Sequence, residues 1–238
     1  EILEVLNRPP ILMARDRRVK KCRVDRIECL KDVISNSDYY IQNITQATLL
    51  FELSKQIPHP SKILDLCAAP GGKLIALYDL FGASQLFAND ASSLRLKKLE
   101  ENLEKYGIRA EVSCQRAEEF SSEHTFDLIV LDVPCSNSGV LHKRPEARMR
   151  LGAESLEALK KVQFACLKNA VSLLAPGGQI WYLTCSILKE ENEEIVEKTL
   201  QELPLKLAAP FLKKLPNAEG WDGGFAAAFS TSAKTTLD

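Results

Sequence analysis

A chain of 238 residues with 45% hydrophobic and 26% charged side chains has the composition of a globular domain large enough to bury its own core. Its 31 Lys and Arg against 32 Asp and Glu leave a net charge of −1, which excludes a uniformly basic nucleic-acid coat but is silent on local patches. Apolar runs are far shorter than the ~20 residues that span a bilayer, and charges sit where the apolar stretch of a signal peptide would lie. A cytoplasmic protein without membrane contact is therefore expected.

Seven cysteines (Cys22, Cys29, Cys67, Cys114, Cys135, Cys166, Cys185) contain no C-x-x-C pair, and only three histidines accompany them. No zinc pattern emerges, and no metal is expected. Disulfide frameworks serve small secreted chains, so the thiols are expected to be reduced and mostly to pack as small hydrophobes.

Residues 1–40 stand apart as a short basic appendage. Arg8–Arg26 holds eight Lys or Arg (Arg8, Arg15, Arg17, Arg18, Lys20, Lys21, Arg23, Arg26) against Asp16 and Asp25. Such a segment is marginal as an independent fold; it is either an arm packed on the core or the tail of a further domain. From Ser61 onward, strand and helix patterns alternate. Lys62–Leu66 is an apolar strand that stops in Cys67-Ala68-Ala69-Pro70-Gly71-Gly72-Lys73, and Lys73–Phe81 reads as a helix closed by Gly82. Gln85–Ala88 is a second strand, ending in Asn89-Asp90. Leu96, Leu99, Leu103 and Tyr106 line one face of a helix capped by Ser92 or Ser93 and ended at Gly107.

Ile108–Cys114 and Phe126–Leu131 are the next strands, the latter apolar on both faces as a central parallel strand is. A long helix over Glu154–Leu174 is stopped by Pro176-Gly177-Gly178, and Ile180–Leu183 is the fifth strand. A helix over Lys189–Glu202 follows, then weaker strands at Leu205–Ala208 and Phe225–Phe229. This alternation predicts a doubly wound, mostly parallel α/β sheet whose strand ends bind the ligand along one edge.

The loop after the first strand lacks both G-x-G-x-x-G and the phosphate-cradling G-x-x-x-x-G-K-[ST]. Gly71 and Gly72 would let a ligand approach the backbone, and Asp90 sits where a ribose-binding carboxylate belongs. A ribose-bearing ligand without pyrophosphate fits, with S-adenosylmethionine the leading candidate; a packing turn is the alternative. Two cysteines leave adjacent strands at this edge, in Asp132-Val133-Pro134-Cys135-Ser136 and in Thr184-Cys185-Ser186.

Asp65–Lys73, Asp132–Ser136 and Thr184–Ser186 with Glu190-Glu191-Asn192 together resemble the RNA cytosine-carbon-5 methyltransferases of the RsmB/NSUN family. The resemblance runs from about Tyr40 to Phe229, includes Trp221–Phe225, and is closest to bacterial enzymes acting on small-subunit ribosomal RNA. It implies a Rossmann-like class I methyltransferase fold with a seven-stranded sheet over residues 41–238, residues 1–40 being the remnant of an RNA-binding region. It also implies S-adenosylmethionine as cofactor, seated by Cys67, Ala68, Ala69, Pro70, Gly71, Gly72, Lys73, Asp90 and Asp132. By the same resemblance Cys185 attacks carbon 6 of cytosine, and Cys135 helps remove the carbon-5 proton. Asp132 binds the ring edge, and Lys73 supports it electrostatically.

Two departures stand out. Asn137 replaces a common glycine, and Gln115-Arg116-Ala117 occupies the place of an acid that helps seat adenosine, for which Glu118 is a substitute. RNA, ribosomal before transfer RNA, is the expected partner of a monomer. Arg8–Arg26 and Lys143, Arg144, Arg148 and Arg150 are the candidate phosphate contacts, while the acidic Glu190–Glu202 face points away. A catalytically inactive RNA-binding relative, and a methyltransferase acting on protein or a small molecule, remain as alternatives.

Overall fold

A computed structural model describes residues 2–19 and 22–231. After a single helical turn, α1 (Ile2–Val5), the chain makes a small antiparallel sheet from β1 (Met13–Asp16), β2 (Val24–Arg26) and β3 (Tyr39–Ile41), with α2 (Lys31–Ile34) between the last two. Its order is β2-β1-β3. Next comes α3 (Ile44–Ser54), which the sequence reading did not separate as an element. Asn43 starts it: with extended backbone, its Oδ1 accepts the Thr45 N–H at 2.9 Å, satisfying one of the free donors of the first turn. Leu49, Leu50 and Leu53 then bury one face of the helix against the large sheet.

The large sheet begins with β4 (Lys62–Asp65) and α4 (Gly72–Phe81), β5 (Gln85–Asn89) and α5 (Ser93–Lys105), and β6 (Glu111–Ser113). It continues with β7 (Phe126–Asp132), α6 (Ala153–Leu173), β8 (Leu174–Thr184) and α7 (Glu193–Glu202). The last strands are β9 (Leu205–Leu207), β10 (Leu212–Lys214) and β11 (Gly224–Thr231). The order is β10-β11-β8-β7-β4-β5-β6, with β9 also on β11. Strands β4 to β8 are parallel, and β11 inserts antiparallel beside β8.

Among the described residues the large sheet has eight strands where seven were expected. β10 pairs with residues 224–226 of β11 and β9 with residues 229–231, so the two short strands lie end to end along one edge and the sheet stays seven positions wide.

Alternation along the central strands builds a core on each face. Leu128, Val130, Trp181 and Leu183 face α3, α4 and α5, whereas Ile129, Leu131, Ile180 and Tyr182 face α6 and α7. Each such side chain contributes about 2 kcal/mol on leaving water, which is why β7 has no polar face. Three boundaries differ most from the sequence reading. The third parallel strand shrinks to Glu111–Ser113. β8 starts ahead of Pro176-Gly177-Gly178, which bulges out between the pairs Phe126–Leu174 and Leu128–Gln179. The late helix breaks at Asn192, after a 3₁₀ turn at Lys189–Glu191.

The strand order reverses at β4, whose neighbours are β5 and β7, and the carboxyl ends of β4, β5, β7 and β8 open onto one cleft.

Candidate active site

β4 ends in Asp65, which is fully buried. Burial first, and the neighbouring charge of Asp132 second, push its carboxyl up to about 7. Its Oδ1 accepts the Cys67 N–H at 3.3 Å, while Oδ2 is buried with no hydrogen-bond partner among the described residues. Lys73, the second residue of α4, reaches across to Asp132 at the end of β7, with Nζ 2.5 Å from Oδ2. Burial pulls the Lys73 ammonium down, but Asp132, Asp65 and Cys185 outweigh it and the net shift is upward. Lys73 is thus a cation at neutral pH.

The glycine turn is tighter than a ligand cradle alone requires. Gly71 has φ +109°, and a Cβ there would lie 2.8 Å from Leu99 Cδ1; a Cβ on Gly72 would lie 3.0 Å from the Tyr40 ring. Protein packing therefore fills the space beside both glycines. Asp90, at the end of β5, accepts the Ala69 N–H at 3.2 Å and the Ser92 N–H at 3.0 Å and pairs with Arg95 at 3.4 Å. The sequence reading passed over Asn89. Its amide donates to Leu66 O and Gln115 O and accepts from Gln115 N, tying three strand ends together.

The two strand-end thiols meet. Cys135 Sγ and Cys185 Sγ are 3.1 Å apart, and both are free. The hydrogen bond with Cys135, then burial, drives the Cys185 thiol well above its usual range, with Lys73 pulling weakly the other way. Cys67 is also pushed well up, chiefly by burial. Asn137 adopts φ 59°, the left-handed conformation that favours glycine and, after it, asparagine. Its Nδ2 donates to Cys135 O at 3.1 Å, which turns Oδ1 toward Cys185; the Cys185 thiol donates to it at 3.1 Å. Gly139 N donates to Cys185 O at 2.9 Å and Gly139 O accepts from Gly223 N at 2.8 Å. A Cβ at Gly139 would sit 2.6 Å from both Cys185 O and Gly223 Cα, so only glycine allows these backbones to meet.

A cleft of about 570 Å³ joins the thiols to the β5 side, lined by Cys67, Asp90, Glu118, Asp132, Cys135 and Cys185 among others. A smaller pocket, lined by Tyr40, Gln46, Asp65, Ala68, Ala69, Pro70, Gly72, Lys73 and Asp132, adjoins it. The volume suits a nucleoside-sized ligand. The carboxylates, with Asp65 Oδ2 unpartnered, suit one that brings an ammonium and a sulfonium. Glu118 faces this cleft but is held by Arg116.

Most of the cations assigned to phosphates have partners. Arg15 and Arg17 converge on Asp79 of α4 at 2.7 and 2.9 Å, Arg18 pairs with Asp16, Arg23 with Asp25 and Arg8 with Glu4. Arg26 donates to Glu219 O. In the second cluster Lys143 pairs with Asp222 at 2.7 Å, Arg144 with Glu146, and Arg148 donates to Asn7 Oδ1. Lys20, Lys21 and the Arg150 side chain lie outside the described residues. No described helix is long and apolar enough to cross a membrane.

A sequence model of the family described as 16S rRNA methyltransferase RsmB/F matches residues 55–229, most of the chain. The chain belongs to the RsmB/F family. Its relatives include ribosomal RNA small subunit methyltransferase B of Klebsiella pneumoniae (strain 342), 35% identical over 174 residues, which are 69% of this chain and 40% of the relative. The Vibrio cholerae protein of that name is 36% identical over 71% of this chain and 41% of its own length. The chain thus spans about 40% of the length of these curated relatives.

Among solved structures, PH0851 matches with a TM-score of 0.85 at 23% identity over 97% of this chain and 62% of its own, a likeness of fold. NSun6 from Pyrococcus horikoshii matches with a TM-score of 0.75 at 25% identity over 87% of this chain and 57% of its own. The fold is that of the Rossmann-like methyltransferases, and the cofactor of this RsmB/F chain is S-adenosylmethionine, which the acidic cleft fits.

Proposed function

We propose that this chain carries the catalytic unit of an RNA methyltransferase that transfers a methyl group to carbon 5 of a cytosine, with ribosomal RNA as substrate. The observation that carries the reading is the Cys135–Cys185 contact at 3.1 Å, in the same cleft as Asp90 and Asp132. One thiol suffices for a packing role; two at the ends of adjacent strands, opening on the ligand edge, suit a reaction that needs a nucleophile and a base. The presence of both, with Asp132 and Lys73 beside them, favours this reading over an inactive relative.

Cytosine carbon 5 is a poor nucleophile. Cys185, having lost its thiol proton to solvent, bonds its sulfur to carbon 6, and the displaced electron pair moves into the ring, making carbon 5 enamine-like. The bound cofactor would supply the methyl group to carbon 5 from a positively charged sulfur, which keeps the carbon–sulfur electron pair and leaves as a neutral thioether. Cys135 as thiolate then accepts the carbon-5 proton, the electron pair re-forms the ring double bond, and the carbon 6–sulfur bond breaks to free Cys185. Asp132 holds the ring edge throughout, and Lys73, paired with it, orients it and adds a positive charge beside the ring. The target base must be unpaired or flipped to enter.

RNA bearing 5-fluorocytosine tests the scheme, because fluorine cannot leave as a proton does. With S-adenosylmethionine, a denaturation-resistant RNA–protein adduct is expected that Cys185→Ala abolishes. On ordinary RNA, Cys135→Ala is expected to accumulate adduct. Cofactor binding without any adduct overturns the covalent scheme, and identical behaviour of the two variants overturns the division of roles.

A further inference from the structure

Glu191 has no solvent exposure and takes no part in the steps above. Its two carboxylate oxygens accept the Ser136 N–H at 2.8 Å, the Ser136 hydroxyl at 2.5 Å and Gln163 Nε2 at 3.0 Å. Gln163 Nε2 also donates to Pro134 O at 3.0 Å. Both residues that flank Cys135 are thereby tied to one carboxylate, Ser136 directly and Pro134 through Gln163.

The next residue does the same for the other thiol. Thr184 Oγ1 donates to Asn192 Oδ1 at 2.7 Å, and Asn192 Nδ2 donates to Ser186 O at 3.0 Å. Both neighbours of Cys185 are held by one amide.

Two independent features mark this arrangement as more than packing. Asn192 occupies the N-cap of α7, where an asparagine side chain ordinarily accepts from the helix's own first turn; it makes no such bond and turns to the Cys185 loop instead. Its backbone (φ −116°, ψ −89°) breaks the helix expected over 189–202, so that consecutive side chains reach opposite loops. And a carboxylate removed from water without a cation is unfavourable unless donors saturate it; Glu191 has three.

We propose that Glu191 and Asn192 are paired positioning residues that set the separation of the two thiols, Glu191 holding the Cys135 loop and Asn192 the Cys185 loop. The purpose of that separation rests on the two-thiol chemistry proposed above, but the separation is measurable without RNA or cofactor. Diamide removes two electrons and two protons from a thiol pair and leaves a disulfide, at a rate that reads how readily the sulfurs approach to bonding distance. The full chain is treated with diamide, and the Cys135–Cys185 disulfide is quantified by peptide mass spectrometry. Glu191→Gln and Asn192→Ala are expected to slow its formation by about tenfold, while Leu103→Ala, a core truncation on the opposite face of the sheet, stays within about twofold of the parent.

Circular dichroism checks that each variant is folded. If either clamp variant is not, Thr184→Val, which removes the hydroxyl that donates to Asn192 and also accepts the Ser186 N–H within the same loop, carries the same comparison for that loop, and Gln163→Leu for the other. Folded clamp variants that close the disulfide at the parental rate overturn the proposal. Slowed closure in the clamp variants, together with a parent protein that forms no 5-fluorocytosine adduct, leaves the clamp standing and removes the covalent scheme alone.

Discussion

Asn137 shows how one residue can depart from a motif and keep its geometry. The position requires a left-handed backbone, so glycine suits it; asparagine is the side chain that best tolerates the same φ, here 59°. The substitution is not silent, because the new amide oxygen accepts the Cys185 thiol. A hydrogen bond to the neutral form opposes ionisation, in the same direction as the Cys135 contact and burial that already raise this thiol. Alkylation of Cys185 by iodoacetamide is therefore expected to rise only toward alkaline pH. Asn137→Gly should lower the thiol's pKa and move that profile toward neutrality by about 0.7 unit, the size of a ~1 kcal/mol hydrogen bond. A profile that does not move would show that Oδ1 has no bearing on the nucleophile.

At the scale of elements, α3 is fastened to the late loop that backs the Cys185 strand. Asn43 caps the helix through Thr45 N, and the same side chain accepts from Asp222 N at 3.2 Å and donates to Gly220 O at 2.8 Å. Thr45 adds a bond to Asp222 O at 2.9 Å. Through Gly223 and Gly139 the loop continues to the Cys185 carbonyl. One asparagine thus joins a helix start to the turn that fixes a thiol. Asn43→Ala is expected to cost about 2 kcal/mol, the cap plus a second set of part-buried bonds, read from the urea unfolding midpoint. Asn43→Asp keeps the acceptor and should lose less. Equal losses in the two variants would refute the cap as the main term.

Across the whole molecule, the N-terminal sheet docks by charge. Arg15 and Arg17 on the small sheet side share Asp79 on α4, all three side chains 11% exposed or less, and Arg17 stacks over Tyr106. Cations so placed serve the docking of the small sheet on the helices that cover the large one, whereas the sequence read alone assigns them to phosphates. Asp79→Asn leaves two guanidinium groups shielded from water beside a neutral amide, and a loss of about 3 kcal/mol in unfolding free energy is expected. A loss below about 1 kcal/mol would mean the pair is effectively solvated and contributes as a surface bridge does.

The order of motifs along the chain determined the family, the parallel α/β class and the identity of both thiols, because strand alternation, glycine turns and short motifs are local patterns. It also located Asp90, Asp132 and Lys73 at strand and helix ends. What it did not carry were the contacts between distant segments. The Lys73–Asp132 pair spans 59 positions and the two thiols 50; only the parallel packing of β4, β7 and β8 brings them together. The same holds for the basic arm. Charge counted along the chain predicts a patch for RNA, but each arginine's role depends on which carboxylate the fold places beside it, and for Arg15 and Arg17 that partner lies on α4. A net charge of −1 says nothing of either outcome, and for Arg15 and Arg17 the tertiary structure supplies the partner.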